Sequence, residues 1–183
     1  MDFVTQQLGT SNITSLPFQT SVMSIDKGAV ITDYGQMETW VYYIQKGTLI
    51  TYLMYREEER ILDFHFEGSF CSSYSSLLTS NPSDIRIKAH SACALERVSY
   101  EELKKQYETS LLANQIGRVA TEGLFLDRVS REKELLTLTA EERYRSLMIK
   151  NPEVVRKIPV KELSKYLGVR PESLSRIRRN QLS

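Results

Sequence analysis

Residues 158–180 read IPVKELSKYLGVRPESLSRIRRN, and this stretch is the most informative part of the sequence. Pro159 and Pro171 each precede a short helical pattern, and proline is favoured in the first turn of a helix. Gly168 follows the first of these patterns and suits a tight turn. Two short helices joined by a glycine turn are typical of a helix-turn-helix.

The second of these helices has two chemically different sides. At about 100° per residue, Leu174 and Ile177 fall on one side and predict the buried stripe. The opposite side carries arginines with short polar residues and one acid, which can hydrogen-bond to base edges. Neighbouring cations could bind phosphates and fix the register on a duplex. The predicted base contacts are Glu172, Ser173, Ser175, Arg176 and Arg179, and the predicted phosphate contacts are Lys161, Lys165, Arg170 and Arg178.

The charge distribution supports an anionic partner for this end of the chain. Residues 143–183 hold eleven basic and three acidic side chains, a net charge of +8. Residues 1–142 hold 13 basic and 20 acidic side chains, a net charge of −7. Such asymmetry indicates contact with nucleic acid or an anionic membrane by the basic end. A solvated, charge-rich helical surface is the plainer alternative.

Residues 25–100 show the pattern of an antiparallel β-domain. Short runs rich in Val, Ile, Tyr, Thr and Phe recur about every ten residues between turn signals, which indicates a sandwich or barrel. Residues 1–24 are irregular, with some helix possible. The six predicted strands are residues 29–32, 40–44, 48–53, 61–66, 85–89 and 94–98.

Helical patterns fill residues 100–150. Ser99 is expected to cap a first helix, and Thr139 with Glu142 fits a capping box that starts a later one. That later helix should end before Asn151, because the residue preceding a proline disfavours the α region. Residues 110–137 carry a heptad-like stripe that predicts either a dimerisation helix or packing on the chain's own sheet. The stripe, taken as the candidate dimer interface, is Leu112, Ile116, Val119, Gly123 and Leu126.

The order of these parts resembles the Crp/Fnr family of bacterial transcription regulators. The resemblance covers nearly the whole chain and is strongest at residues 92–100 (ACALERVSY) and 158–180; residues 142–153 and 171–176 resemble the Bacteroidetes branch. It implies an α+β fold with a double-stranded β-helix (jelly-roll) sensor domain of the cyclic-nucleotide-binding type in residues 1–109. It further implies a dimerisation helix in residues 110–137 and a helix-turn-helix domain in residues 138–183. Because the chain ends at Ser183, the C-terminal wing of the family is expected to be reduced or absent.

The same resemblance implies a degenerate nucleotide pocket. Cyclic-nucleotide-binding relatives use a glutamate for the ribose and an arginine for the cyclic phosphate, and Ser73 and Ser83 stand at those positions. A buried phosphate without a cation or converging N–H donors is very costly. We therefore expect no cyclic AMP binding. The sequence does not decide whether the protein has an unidentified small-molecule effector or no effector. The candidate effector pocket is Ser72, Ser73, Tyr74, Ser83 and Arg86.

Other functional classes find little support in the sequence. Cys71 and Cys93 cannot supply an iron–sulfur cluster or a four-cysteine zinc site, and His65 and His90 lie in strand-like runs. We expect no metal, no cofactor and no enzyme activity. A cupin-like β-barrel metalloenzyme and a protein-interaction module with a basic helical tail are the alternatives. No apolar run is long enough to span a membrane and no signal peptide is visible. We therefore expect a cytoplasmic homodimer that binds double-stranded DNA, with RNA polymerase as a further candidate partner.

Overall fold

The computed structural model describes residues 17–180. Most of the N-terminal segment with its suggested helix, and the last three residues with the question of the wing, lie outside that range. Eight strands and seven helices are found within it. The strands are β1 Ser21–Ile25, β2 Val30–Thr32, β3 Trp40–Lys46, β4 Leu49–Tyr55, β5 Glu58–His65, β6 Phe70–Cys71, β7 Ile85–Ala89 and β8 Cys93–Ser99. The helices are α1 Tyr74–Thr79, α2 Tyr100–Thr109, α3 Leu111–Thr137, α4 Ala140–Lys150, α5 Pro152–Lys157, α6 Val160–Leu167 and α7 Pro171–Asn180.

Residues 21–99 form two four-stranded antiparallel sheets, which we call the β-unit. Their strand orders are β1-β8-β3-β6 and β2-β7-β4-β5. Side chains alternate between the two faces of each strand, so Leu49 and Ile87 join Ile44 and Leu95 in the core of the β-unit, all at 0% exposure. Both cysteines are buried there as free thiols. The expectation of an antiparallel β-domain is confirmed.

All six predicted strands are present, and two further strands escaped prediction. Residues 21–24, predicted as irregular or helical, belong to β1, which pairs with β8. That prediction was wrong because β1 is an outer strand whose Val22 is 68% exposed, which blurs the alternation of apolar residues. The second missed strand, β6, has only two residues.

The helix boundaries follow the capping residues closely. The Ser99 hydroxyl accepts from the Glu102 N–H at the start of α2, and Thr139 and Glu142 form the predicted capping box of α4. Helix α4 ends at Lys150, before Asn151, as expected. Helix α5 was not predicted; it has Pro152 in its first turn and is only six residues long.

A second core joins the C-terminal helices to the β-unit. The outer face of β4 and β5 contributes Ile50, Tyr52, Ile61 and Phe64. The helices contribute Tyr144, Leu147, Val154, Ile158, Leu163, Leu167 and Leu174. We call this cluster the shared core. It fixes helices α4–α7 against one sheet of the β-unit.

Candidate nucleic-acid interface and effector cleft

Helices α6 and α7, which we call the helix pair, are connected by a tight turn. Gly168 has φ +70°, the left-handed region that glycine adopts without strain, and its N–H caps α6 on the Ser164 carbonyl. The Val169 N–H donates to the same carbonyl at 3.0 Å. Leu163, Leu167 and Leu174 are fully buried. The turn and this apolar contact fix the angle between the two helices.

The outward face of α7 carries most of the predicted base-contact residues. Leu174 points into the shared core and Ile177 packs partly against it, which leaves the opposite side free. Of the predicted base contacts, Ser173 is half-buried at the edge of this face. The four exposed members are Glu172, Ser175, Arg176 and Arg179. They present guanidinium, hydroxyl and carboxylate groups on one side of one helix.

The four predicted phosphate-contact residues do not share one environment. Lys161 and Arg170 are exposed, and Arg178 is half-buried. Lys165 differs, because its ammonium nitrogen lies 5.9 Å from the ring centroid of Tyr52 on β4. The structure thus places Lys165 against the β-unit, whereas Lys161 and Arg170 are free to meet an anion.

Two arginines hold the end of α6 in place. Arg131 of α3 donates to the Tyr166 carbonyl at 2.5 Å, and Arg143 of α4 donates to the Leu167 carbonyl at 3.0 Å. The Arg131 guanidinium also stacks on the Tyr166 ring at 3.8 Å, and the Phe64 ring lies 5.0 Å from that ring. Tyr166 therefore connects the helix pair to both α3 and β5.

The stripe predicted as a dimer seam is only partly available on α3. Ile116 and Val119 are buried within the chain, at 3% and 7% exposure, so they cannot offer surface to a second copy. The plainer alternative, packing on the chain's own elements, holds for these two residues. Leu126 is 65% exposed, while Leu112 and Gly123 are half-buried. Further exposed apolar side chains of the helix are Leu111, Leu124, Phe125, Leu135 and Leu136.

The hydroxyl groups of Ser73 and Ser83 hydrogen-bond to each other in the interior of the protein. The Ser83 hydroxyl donates to the Ser73 hydroxyl at 2.8 Å, and both residues are buried. Arg86 does not join them, so its place in the candidate pocket was wrong. Strand alternation turns it outward from β7, where it pairs with Asp33 at 2.6 Å and Glu59 at 2.8 Å.

A cleft of about 840 Å³ lies between α3 and the β-unit. Ser72 and Tyr74 of the candidate pocket line it, together with Thr51 and His65. The Thr51 hydroxyl lies 2.8 Å from His65 Nε2. Burial lowers the pKa of His65, because the charged imidazolium loses its hydration. This pair could not be predicted from the sequence, because strands β4 and β5 bring the two side chains together only in the folded sheet.

Burial also raises the pKa of the Cys71 thiol, which lines the same cleft. A buried, protonated thiol is a poor nucleophile and metal ligand. Within residues 17–180, no three His, Cys, Asp or Glu side chains are grouped to hold a metal ion. No helix in this part of the chain is long and apolar enough to cross a membrane.

Several solved structures share this architecture over most of the chain. FixK2 from Bradyrhizobium japonicum matches with a TM-score of 0.73 and 20% identity over 88% of this chain and 84% of that one. A protein from Eubacterium rectale described as a transcriptional regulator of the Crp/Fnr family matches with a TM-score of 0.71 and 19% identity. This match covers 88% of this chain and 78% of that one. The regulator CLP from Xanthomonas campestris matches with a TM-score of 0.68 and 18% identity over 89% of this chain and 86% of that one. Neither a protein-family model nor a curated protein matches the sequence.

The chain therefore has the fold of Crp/Fnr-type regulators, with a domain like those that bind cyclic nucleotides. The Bacteroidetes branch stays a prediction. At identities of 18–20% the likeness establishes the fold alone.

Proposed function

We propose that the chain is a sequence-specific, DNA-binding transcription regulator of the Crp/Fnr type, built as a jelly-roll sensor domain, a dimerisation helix and a helix-turn-helix. The observation that carries the proposal is the exposed polar face of α7. Arg176, Arg179, Ser175 and Glu172 lie on it, opposite a fully buried Leu174. A helix supported from behind and bearing such groups fits the major groove, where it can contact base edges.

The side chains on that face suit base recognition. An arginine can donate two hydrogen bonds to guanine O6 and N7, a glutamate can accept from cytosine N4, and serine can contact either. Lys161 and Arg170, both exposed, can neutralise phosphates on either side and set the register. Lys165 would have to leave the Tyr52 ring to do the same.

Binding of purified protein to duplex DNA, followed by fluorescence anisotropy at several salt concentrations, tests the proposal. Affinity should fall linearly on a logarithmic scale as salt rises, because phosphate contacts release counterions. Lys161→Ala should make that slope shallower by about one unit, since it removes one phosphate contact. A protein that binds no duplex, selected or random, at low salt would contradict the proposal.

We further propose that the protein acts as a homodimer joined through the C-terminal half of α3. Phe125, Val129 and Leu136 recur at spacings of four and seven and so lie on one side of the helix. Phe125 is 65% and Leu136 78% exposed in the single chain. A dimer would cover this side and would place two recognition helices for half-sites about 34 Å apart.

Phe125→Asp is expected to dissociate the dimer, because a second copy would have to desolvate the new carboxylate. Sedimentation velocity at micromolar concentration measures the change. Leu78→Asp is the matched control: Leu78 is 59% exposed on α1, outside the proposed interface, and its substitution should leave the dimer intact. A wild-type protein that stays monomeric with and without DNA would contradict the dimer.

We expect no useful affinity for cyclic AMP or cyclic GMP. Ser73 and Ser83 replace two charged partners, and each lost charge-assisted hydrogen bond removes about 1.5–3 kcal/mol. Together the two losses weaken binding by about 10² to 10⁴. Arg86 cannot substitute, because Asp33 and Glu59 hold it on the other face of β7. Isothermal titration checks this, and a low-micromolar dissociation constant for either nucleotide would refute it.

A further inference from the structure

We infer that Arg131 and Tyr166 determine which spacing between two DNA half-sites the protein accepts. Arg131 lies on α3, the helix proposed to join two copies of the chain, and Tyr166 lies in the last turn of α6. The inference rests on the proposed function and on the proposed dimer. Both residues are positioning residues in it, because neither belongs to the predicted base or phosphate contacts.

Three contacts hold the Arg131 side chain. Its Nη2 donates to the Tyr166 carbonyl at 2.5 Å, and its guanidinium lies 3.8 Å from the centroid of the Tyr166 ring. Its Nη1 lies 3.8 Å from Glu134 Oε2, and the Glu134 carboxylate in turn accepts from Ser146 and Lys150 of α4. Only 17% of the Arg131 side chain is exposed. A guanidinium fixed in this way holds α6 in one orientation against α3.

The same contact satisfies backbone groups that α6 leaves without a partner. The last four carbonyls of an α-helix accept no hydrogen bond within the helix. In α6 the Ser164 carbonyl accepts from the N–H groups of the turn. The Tyr166 carbonyl accepts from Arg131, and the Leu167 carbonyl accepts from Arg143. Since the helix dipole also favours cations at this end, the end of α6 is fixed by two arginines, one of which belongs to α3.

The position of the contact, next to the turn, links it to the direction of α7. Tyr166 lies two residues before Gly168, and α7 begins at Pro171. The buried Leu167 and Leu174 keep the two helices of the helix pair together, so α7 follows α6. The apolar contacts of the shared core are not directional. The hydrogen bond and the stacking of Arg131 therefore supply the orientation of the helix pair relative to α3.

In a dimer joined along α3, this orientation decides which spacings fit. One added base pair moves a half-site by about 3.4 Å along the duplex and turns it by about 35° around the axis. Recognition helices that are fixed to α3 cannot follow such a turn, whereas loosely attached ones can. Arg131 lies about 120–140° around α3 from Phe125 and Leu136, at about 100° per residue. Its substitution therefore loosens the attachment and leaves the proposed dimer surface intact.

Duplexes that differ only in the distance between the half-sites test the inference. The site selected by the wild type is prepared with the selected spacing, with one or two base pairs added or removed, and as a single half-site. Fluorescence anisotropy measures the affinity of the full chain for each duplex. The wild type should lose affinity by about tenfold or more when the spacing changes by one base pair. Arg131→Ala should lose about threefold or less, and it should bind the single half-site like the wild type, because α7 is unchanged.

Two further variants separate positioning from general damage. Arg118→Ala is the matched control, because Arg118 is an exposed arginine on the same helix and pairs with Glu122. Its dependence on spacing should equal that of the wild type. Tyr166→Leu removes the ring under the guanidinium but keeps the carbonyl, so its dependence on spacing should lie between those of the wild type and Arg131→Ala. This variant tests the inference even if Arg131→Ala fails to fold.

The possible results distinguish the inference from the proposals on which it rests. Wild-type dependence on spacing in Arg131→Ala or in Tyr166→Leu would overturn the inference, as would a wild type that binds all spacings equally. Weaker binding of the single half-site by Arg131→Ala would also overturn it, because the arginine would then support the helix pair itself. A wild type that binds no duplex contradicts the proposed function, and the inference with it.

Discussion

Gly47→Ala is expected to destabilise the protein by about 2–6 kcal/mol. Gly47 has φ +103°, where a residue with a side chain is strained, and this strain accounts for about 1–3 kcal/mol. A Cβ at this position would also lie 2.5 Å from the Ala92 carbonyl oxygen and 2.6 Å from Cys93 Sγ. Backbone cannot move aside as a flexible side chain can, so overpacking adds about 1–3 kcal/mol. Urea unfolding followed by circular dichroism measures the change.

Gly28→Ala separates the two contributions. Gly28 has φ +91° but no atom within 4 Å of an added Cβ, so only the backbone strain remains. Its loss of stability should therefore be smaller than that of Gly47→Ala by the overpacking contribution. Equal losses in the two variants would show that the close approach to β8 has no energetic weight.

Arg176→Ala is expected to lower affinity for the preferred DNA site by about 1–3 kcal/mol, or about 5- to 150-fold. Arg176 is exposed on the outward face of α7, so its loss leaves the shared core unchanged. Specificity should relax at one position of each half-site, because the other base contacts remain. In-vitro selection from random duplexes, followed by binding titration of the selected site, measures both effects.

Arg118→Ala is the control for net charge. Arg118 is exposed on α3 and pairs with Glu122 one helical turn away, so the variant loses the same charge from a helix outside the helix pair. It should bind the selected site like the wild type. If Arg176→Ala selects the same sequence with the same affinity, Arg176 does not read a base.

The local elements were largely predictable because their signals are local. Caps such as Ser99 and Thr139, the turn at Gly168 and the alternation of β7 depend on residues a few positions apart. The buried and exposed sides of α7 followed from helical periodicity, which the burial of Leu174 confirms. Short elements such as β6 and α5 were missed because they contain too few residues to show a period.

Contacts between distant residues were not predictable. The sequence could not assign Ile116 and Val119 to the chain's own interior, since the same stripe also suits a dimer. It could not show that Arg86 faces Asp33 and Glu59, because the period of a strand gives two faces without saying which is inside. The Thr51–His65 pair depends on the register of β4 and β5, which is likewise a property of the folded sheet.

Because of the shared core, the C-terminal helices depend on the β-unit for part of their packing. Leu163, Leu167 and Leu174 are packed in one cluster with Tyr52 and Phe64 of the β-unit. Residues 138–183 cut out by themselves would expose that apolar face to water, and so short a segment has little core of its own to replace it. Recombination that transplants only these helices onto another sensor would have to bring a matching apolar sheet surface with them. A substitution at Phe64 or Tyr52 therefore changes the packing of the β-unit and of the C-terminal helices at the same time.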